Sequence, residues 1–449
     1  MPEYFTGRDT KMSVLSRTFI LLTTLTRLLS ALLREPVSSF RVSACMRHIL
    51  IATAITLTGL PATAGDDVIH QLVDPQATPE THNLYAKLMR LAPEAVLFGH
   101  QATLEYGYTW HHSELAAGES RSDVKDVAGS FPAFYGWDLN YFIQPRFDTD
   151  QRQERIDRML GWTKEGLQRG AVITFCWHKY NPGSTGSPGS FYDTTNVVYR
   201  ILPGGDLHDN FRRDLDQTAG FFHALSPMPV IFRPWHEHNG DWFWWGRGIA
   251  TEQEFIDLWR FTVEYLRDKK EVRNLLWAFS PDRSRMDIDN FYEDYHYGYP
   301  GDGYVDIIGL DNYWDLGHPV NETPPDEQRA QFIRSLQYTV EIANSKGKLA
   351  ALTETGLEAI PEPDWWTEAM LESLLANDLT RQISWLKVWR NANFEREQWN
   401  HYYAPFPGQA SAENFVKFRN HPFVLFEDDL PDMYSPVQEE QQMHLTPKQ

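Results

Sequence analysis

The sequence predicts a single (β/α)8 TIM barrel that occupies most of the 449-residue chain. Short apolar runs alternate with longer amphipathic stretches from about residue 80 to 395, and eight of these runs have the length of strands. Most are apolar almost throughout, as is typical of parallel strands that are buried on both faces. No glycine-rich phosphate loop follows the first run, which argues against a doubly wound dinucleotide-binding sheet. Eight βα units over this length favour a closed barrel.

The elements follow one another in the order that such a barrel needs. The predicted strands span residues 95–99, 131–137, 171–178, 230–236, 274–280, 305–313, 349–353 and 383–389. The clearest helical stretches between them span residues 151–168, 209–225, 251–268 and 326–345. In the third of these, Phe255, Leu258, Trp259 and Phe261 recur at the spacing of one helix face. The loops after the second, third and fourth strands are long, and they lie on the catalytic face of a barrel.

The N-terminal part of the chain contains the pattern of a secretory signal peptide. Residues 46–64 begin with basic Arg47, continue with an apolar run over residues 49–60, and end in Ala-Thr-Ala at 62–64. This pattern predicts export to the periplasm or the medium, with no membrane attachment after cleavage.

The signal pattern starts well inside the chain, and this affects the domain organisation. We expect translation to begin at Met46; the alternative is a lipoprotein box at residues 42–45. The predicted organisation is an upstream extension (1–45), a signal peptide (46–64), a catalytic barrel (65–430) and a polar tail (431–449).

The composition restricts the class of partner. The formal charge of −20 disfavours binding to nucleic acid, because an acidic surface repels phosphate backbones. The 16 tryptophans suit either a large core or stacking on sugar rings. Cleavage after residue 64 would leave Cys176 as the only cysteine, and therefore no intramolecular disulfide. We expect a monomer whose partner is a neutral polysaccharide.

Two glutamates mark the candidate chemistry. Glu237 follows the fourth predicted strand within an aromatic-rich stretch, and Glu354 ends the seventh. These strands lie nearly opposite each other in an eight-stranded barrel, so their tips face across the cleft. Glycoside hydrolysis needs one carboxylic acid to protonate the departing oxygen and one carboxylate to attack or to activate water.

The residues around both glutamates resemble glycoside hydrolase family 26, whose best-known members are endo-β-1,4-mannanases. The resemblance rests on residues 233–246, on Thr-Glu-Thr-Gly at 353–356 and on Gly-His-Gln at 99–101, and it extends over about residues 70–400. It implies a retaining double displacement in which Glu237 is the acid/base and Glu354 the nucleophile.

The same resemblance implies roles for further residues. Tyr313 would hydrogen-bond the nucleophile, Trp242 would lie near the +1 sugar, and the −1 sugar would be contacted by His178, His236 and Trp389. Arg233 is a candidate to support the charge of Glu354. The other substrate-binding candidates at strand ends are His100 and Trp137. Trp177, Trp244, Trp245 and Trp314 are either sugar platforms or core residues.

Several alternatives remain open at this point. The same mechanism could act on mixed-linkage β-glucan or β-1,3-xylan, or the chain could be an inactive carbohydrate-binding barrel. His236 and His238 are two residues apart at a strand end, without a His-Glu-x-x-His helix, so we predict neither a catalytic metal nor another cofactor.

Overall fold

The computed structural model describes residues 71–116, 118–184 and 189–436. The predictions of an upstream extension and a signal peptide concern residues 1–64, which lie outside these ranges. Within the described residues, no helix is both long and apolar enough to cross a membrane.

The described part of the chain forms the predicted parallel barrel. Its eight strands are β1 (Val96–Gln101), β4 (Phe134–Asp138), β5 (Val172–Cys176), β6 (Val230–Arg233), β7 (Leu275–Phe279), β8 (Ile307–Asn312), β9 (Leu349–Thr355) and β10 (Ile383–Val388). Each strand pairs in parallel with its neighbour, and the pairing of β10 with β1 closes the barrel. The remaining strands are a hairpin of β2 (Tyr106–Gly107) and β3 (Trp110–His111), and β11 (Val424–Leu425).

Helices occupy the connections between the barrel strands, and further helices precede the first barrel strand and follow the last. They are α1 (Pro79–Leu91), α2 (Asp123–Ala128), α3 (Thr149–Gln168), α4 (Val198–Ile201), α5 (His208–His223), α6 (Glu252–Glu264), α7 (Phe291–Tyr295), α8 (Pro325–Lys346), α9 (Glu372–Leu374), α10 (Phe394–Glu397) and α11 (Ala412–Asn420). π-helical turns at Tyr265–Lys269 and Trp366–Leu371 extend α6 and precede α9. All eight predicted strands and all four predicted helices are therefore confirmed.

Local sequence explains where the long helices start. Helix α3 begins with a capping box in which Asp148 and Gln151 satisfy each other's backbone amides. Thr251 and Glu254 form the same arrangement at the start of α6. The buried face of α6 includes Phe255, which packs toward the barrel as its helical spacing predicts.

Two apolar layers hold the barrel together. Inside it, the rings of Phe134 and Trp385 stack at 4.8 Å, in a cluster that also contains small residues such as Ala278 and Ala351. Outside it, a larger cluster joins the outward side chains of the strands to the helices. A packed interior of this kind leaves the carboxyl ends of the strands as the place for a site.

The segment after α11 adds structure that the sequence pattern did not reveal. β11 pairs in parallel with the start of β1, at the end of the barrel away from the cleft. Beyond Pro431 the chain still packs on the protein, since Met433 is buried and the Tyr434 hydroxyl donates to the Ala171 carbonyl at 2.5 Å.

Candidate active site

The carboxyl ends of the barrel strands open into a cleft that contains two pockets. One pocket of about 370 Å³ is lined by His178 and its neighbours. The other, of about 520 Å³, is lined by Trp242 and Tyr313. Trp242 is hydrogen-bonded to Glu237 and Tyr313 to Glu354, so the second pocket is lined by a direct partner of each glutamate.

An unusual backbone holds Glu237 in place. After β6 ends, Trp235 and Glu237 both have positive φ angles, of 51° and 54°. Such left-handed conformations cost about 1–3 kcal/mol each for residues other than glycine and cluster at functional sites. The Glu237 amide donates to the Ser280 carbonyl at 2.8 Å, which ties the strained turn to the end of β7. The indole Nε1 of Trp242 donates to the Glu237 carboxyl at 2.8 Å.

The residues after Glu237 explain further positions in the aromatic-rich stretch that follows β6. Asn239 and Asp282 exchange two hydrogen bonds of 2.7 Å, which fasten the loop to the segment after β7. A β-carbon on Gly240 would lie 2.4 Å from the Trp242 ring, so glycine is needed for the indole to approach the backbone. The Asn-Gly pair therefore positions the tryptophan that contacts the acid/base candidate.

A β-bulge directs Glu354 into the barrel. Leu310 pairs with Leu352, but the next residue, Asp311, pairs with Glu354, so Thr353 is an additional residue on β9. Bulges of this kind re-aim side chains next to active sites. Because of it, Thr353 and Glu354 both point inward, and the Thr353 hydroxyl donates to Asp311 at 2.7 Å.

Two side chains donate hydrogen bonds to the carboxylate of Glu354, a residue that is only 5% exposed. The Tyr313 hydroxyl donates to Oε1 at 2.9 Å, and the Arg233 guanidinium donates to Oε2. Arg233 also donates to Asp311 at 2.5 Å and to Ser280 at 3.0 Å. The predicted contacts of Tyr313 and Arg233 with Glu354 are both present.

The two glutamates experience opposite electrostatic environments. Burial would raise the pKa of Glu354, but the charges of Arg233 and Lys387 lower it below its usual value. Burial raises the pKa of Glu237 well above its usual value, and the negative charge of Asp282 raises it further. One carboxyl is thus held ionised and the other protonated, which is the division of roles that acid/base and nucleophilic catalysis require.

A pair of histidines, His178 and His236, lies beside the first pocket. His178 Nδ1 is 2.7 Å from Asp138, and its Nε2 is 3.2 Å from His236 Nε2. Burial would lower the pKa of His178, but the Asp138 carboxylate outweighs it, and the pKa is raised well above its usual value. Burial and the Arg233 charge lower the pKa of His236. His178 can therefore donate through Nε2 to a neutral His236.

Among the described residues, one group has the composition of a metal site. The ligand atoms of Asp138, Cys176 and His178 lie within 4.8 Å of one another. Asp138 and His178 are already engaged with each other through the 2.7 Å hydrogen bond, which accounts for their proximity without an ion.

Comparison with known proteins identifies the family. The pattern of "Glycosyl hydrolase family 26" matches residues 73–402. The chain belongs to this family. It is 32% identical over 315 residues to a mannan endo-1,4-β-mannosidase of Bifidobacterium adolescentis, and the match covers 68% of this chain but only 29% of that relative.

Solved structures of family 26 proteins share the fold. A β-mannanase from Bacteroides ovatus superposes with a TM-score of 0.69 at 34% identity, over 82% of this chain and 100% of that one. A modular endo-β-1,4-mannanase from Cellulomonas fimi gives a TM-score of 0.70 at 33% identity, over 82% of this chain and 80% of that one.

The structure of this family 26 protein brings most of the predicted site residues together and corrects two. Trp137 is fully buried and packs outward against Phe175 at 5.9 Å, in the layer between barrel and helices. His100 is 1% exposed, and its Nδ1 contacts Thr103 at 3.1 Å. The prediction that these two side chains contact substrate is wrong, because the neighbouring residues on their strands, and not they, face the cleft.

The other candidates divide between cleft and core. Trp389 lines the first pocket and Trp314 the second. Three of the candidate sugar platforms are fully buried core residues: Trp177, Trp244 and Trp245.

The sequence pattern does not indicate several residues at or near the cleft. Gln101 and Asp138 face the first pocket from the same strands as the two misassigned residues. Trp399 reaches the first pocket from the loop after β10, and is 50% exposed. Lys387 lies within the apolar run of β10, and a lysine in such a run was a signal that could have been read.

Proposed function

We propose that this protein is a secreted endo-β-1,4-mannanase that hydrolyses its substrate with retention of anomeric configuration. The observation that supports this most strongly is the pair of glutamates at the ends of β6 and β9. Glu354 is held ionised by Arg233 and Tyr313, and Glu237 is held protonated by burial and neighbouring negative charge.

The proposed reaction has two steps. In the first, Glu354 attacks the anomeric carbon while Glu237 gives its proton to the departing glycosidic oxygen. Formation of the ester removes the negative charge of Glu354, which had helped to raise the pKa of Glu237. The pKa of Glu237 then falls, and its carboxylate takes a proton from the water that attacks the same carbon.

The shape of the cleft supports cleavage within a chain. Pockets of about 370 Å³ and 520 Å³ lie next to the catalytic pair, each within the size range typical of ligand sites. Aromatic side chains are available in both: Trp389 and Trp399 in the first, and Trp242 and Trp314 in the second. Sugars on both sides of the cleaved bond can therefore stack on aromatic rings.

Product analysis on four polysaccharides tests the substrate. We would incubate the purified protein and its Glu354→Ala variant with linear mannan, galactomannan, mixed-linkage β-glucan and β-1,3-xylan. Manno-oligosaccharides of mixed length from the first two substrates are expected, with none from the variant. Products only from glucan or xylan would be consistent with the proposed mechanism but would refute mannan as the substrate. An absence of products from all four polysaccharides would favour a carbohydrate-binding barrel.

Secretion is tested separately. We expect the protein exported by a host that carries the full coding sequence to begin at Gly65. An N-terminus upstream of Met46 on the exported protein would contradict the proposed signal peptide.

A further inference from the structure

A buried lysine lies directly behind the nucleophile. Lys387 is on β10, points into the barrel and is 1% exposed. Its Nζ lies 3.6 Å from Glu354 Oε2 and donates to Gln101 Oε1 at 2.8 Å. Both neighbours accept hydrogen bonds, so the surroundings match a protonated amine. A lysine is rarely fully buried unless its charge is paired.

The barrel provides space for this side chain. A β-carbon on Gly136 would lie 2.8 Å from Lys387 Cδ and 2.1 Å from Gln101 Oε1. Only glycine at this position of β4 lets the lysine and the glutamine meet inside the barrel. The lysine is therefore part of a constructed layer below the cleft and does not merely fill a gap.

This layer contains two basic side chains, Arg233 and Lys387, which are paired with the carboxyl groups of Asp311 and Glu354. Burial raises the pKa of Asp311 to about 7, whereas the pKa of Glu354 is lowered, so Glu354 is the more fully ionised of the two carboxyls near neutral pH. When Glu354 becomes an ester, the two basic side chains lose this negative charge. The ester therefore has a lower barrier to leaving as a carboxylate than it would have beside one cation.

The remaining titratable groups around the pair contribute less. His178 after β5 also lowers the pKa of Glu354, but less than Arg233 and Lys387 do, and its Nδ1 is engaged with the Asp138 carboxylate at 2.7 Å. Cys176 on β5 is buried with a raised pKa. Glu237 is held protonated by its own environment. Burial lowers the pKa of Lys387, and the Glu354 carboxylate counteracts that effect.

We propose that Lys387 is a positioning residue that holds Glu354 ionised before attack and promotes its departure from the glycosyl-enzyme. The proposal rests on the retaining mechanism proposed above. The charge of Lys387 adds to that of Arg233, and both lower the pKa of Glu354 more than His178 does.

The contacts also distinguish the two oxygens of the nucleophile. Oε2 faces Arg233 and Lys387, whereas Oε1 accepts one hydrogen bond, from Tyr313. Oε1 is thus the oxygen that forms the bond to the anomeric carbon, and Oε2 becomes the ester carbonyl. In the second step a water oxygen bonds to that carbon, its proton passes to Glu237, and the electrons of the breaking bond return to the carboxylate.

The first test is the pH profile of a charge-removing variant. Lys387→Met keeps an unbranched side chain that is one atom shorter, and it removes the cation. Because an opposite charge within about 4–6 Å lowers a carboxyl pKa by about 1–3 units, the acidic limb of kcat/KM should move up by at least one pH unit. Lys387→Gln serves as a second variant should the methionine variant fold poorly.

Lys348→Met is the matched control. Lys348 is also buried, at 7% exposed, but it lies at the start of β9 and donates to the Asp302 carbonyl at 2.8 Å. Its loss should lower stability without moving the acidic limb. An equal displacement of the limb in both variants would overturn the proposal, because it would mark a general effect of removing a buried lysine.

The second test follows the covalent intermediate. A 2-deoxy-2-fluoro-β-mannosyl fluoride should label Glu354 in the unmodified protein and in Lys387→Met, as seen by peptide mass spectrometry. Reactivation of the labelled protein should be at least tenfold slower in Lys387→Met. If Lys387→Met is labelled but its reactivation and its acidic limb are unchanged, the role of Lys387 is refuted and the retaining mechanism stands. An absence of labelling in the unmodified protein would instead refute the retaining mechanism, and the role of Lys387 with it.

Discussion

Removal of the Tyr313 hydroxyl tests how the nucleophile is kept ready for attack. Tyr313 donates to Glu354 Oε1 at 2.9 Å, and burial raises the pKa of the phenol, so it stays a donor throughout the working pH range. In Tyr313→Phe the carboxylate keeps Arg233 and Lys387 but loses this hydrogen bond. A hydrogen bond to a charged group contributes about 1.5–3 kcal/mol, and one pKa unit corresponds to about 1.4 kcal/mol.

These magnitudes predict a displacement of the acidic limb of kcat/KM. The hydrogen bond lowers the pKa of Glu354, so its loss should raise the limb by about 1–2 pH units. The pH-independent rate should also fall, by about tenfold or more, because Oε1 is no longer held toward the anomeric carbon. The assay is the initial rate on an aryl β-mannobioside across the pH range in which the protein remains folded.

Tyr403→Phe is the matched control for this variant. The ring of Tyr403 lies 5.5 Å from that of Tyr313 and lines the same pocket. Removal of its hydroxyl should leave the acidic limb in place. A Tyr313→Phe protein whose limb coincides with that of the unmodified protein would refute the reasoning, since the hydrogen bond would then not support the ionised nucleophile.

Three further predictions concern Glu237 as the acid/base and Trp389 in the first pocket. Glu237→Ala should lose far more activity on mannan than on aryl glycosides with very good leaving groups, which need no proton; equal losses on both would argue against an acid role. Glu237→Gln should be more stable than the unmodified protein at pH 7 but not at pH 4. Because the pKa of Glu237 is raised in the folded protein, its carboxyl ionises between pH 4 and pH 7 only in the unfolded state, and the unmodified protein loses stability as the pH rises above about 4.3. A difference in Tm between the two proteins that does not change with pH would contradict this. Trp389→Ala should weaken sugar stacking by about 1–3 kcal/mol, measured as kcat/KM on manno-oligosaccharides, and an unchanged value would show that the ring does not touch the sugar.

The barrel could be predicted from sequence because its strands are nearly continuous apolar runs separated by helical patterns. The same feature hides which side of a strand faces inward. On β4 the sequence Tyr-Gly-Trp-Asp has no clear alternation, yet Gly136 and Asp138 face the interior and Trp137 faces the helices. A shift of one residue therefore separates the correct cleft residues from those that the sequence suggested.

The glutamates could be predicted because their positions at strand ends depend on topology and not on such alternation. The bulge at Thr353, which turns Glu354 inward, has no sequence signature. β11 could not be predicted from the sequence either, because its two residues, Val424 and Leu425, are too few to form a hydrophobic pattern. Trp399 comes from a long loop whose path depends on tertiary contacts.

The anomeric configuration of the first product tests the assignment of Glu354 as nucleophile most directly. We would follow the hydrolysis of a manno-oligosaccharide by ¹H NMR and record which reducing-end anomer appears before mutarotation. Two successive displacements at one carbon predict the β-anomer first. Initial appearance of the α-anomer would show a single displacement by water, and would contradict a covalent role for Glu354.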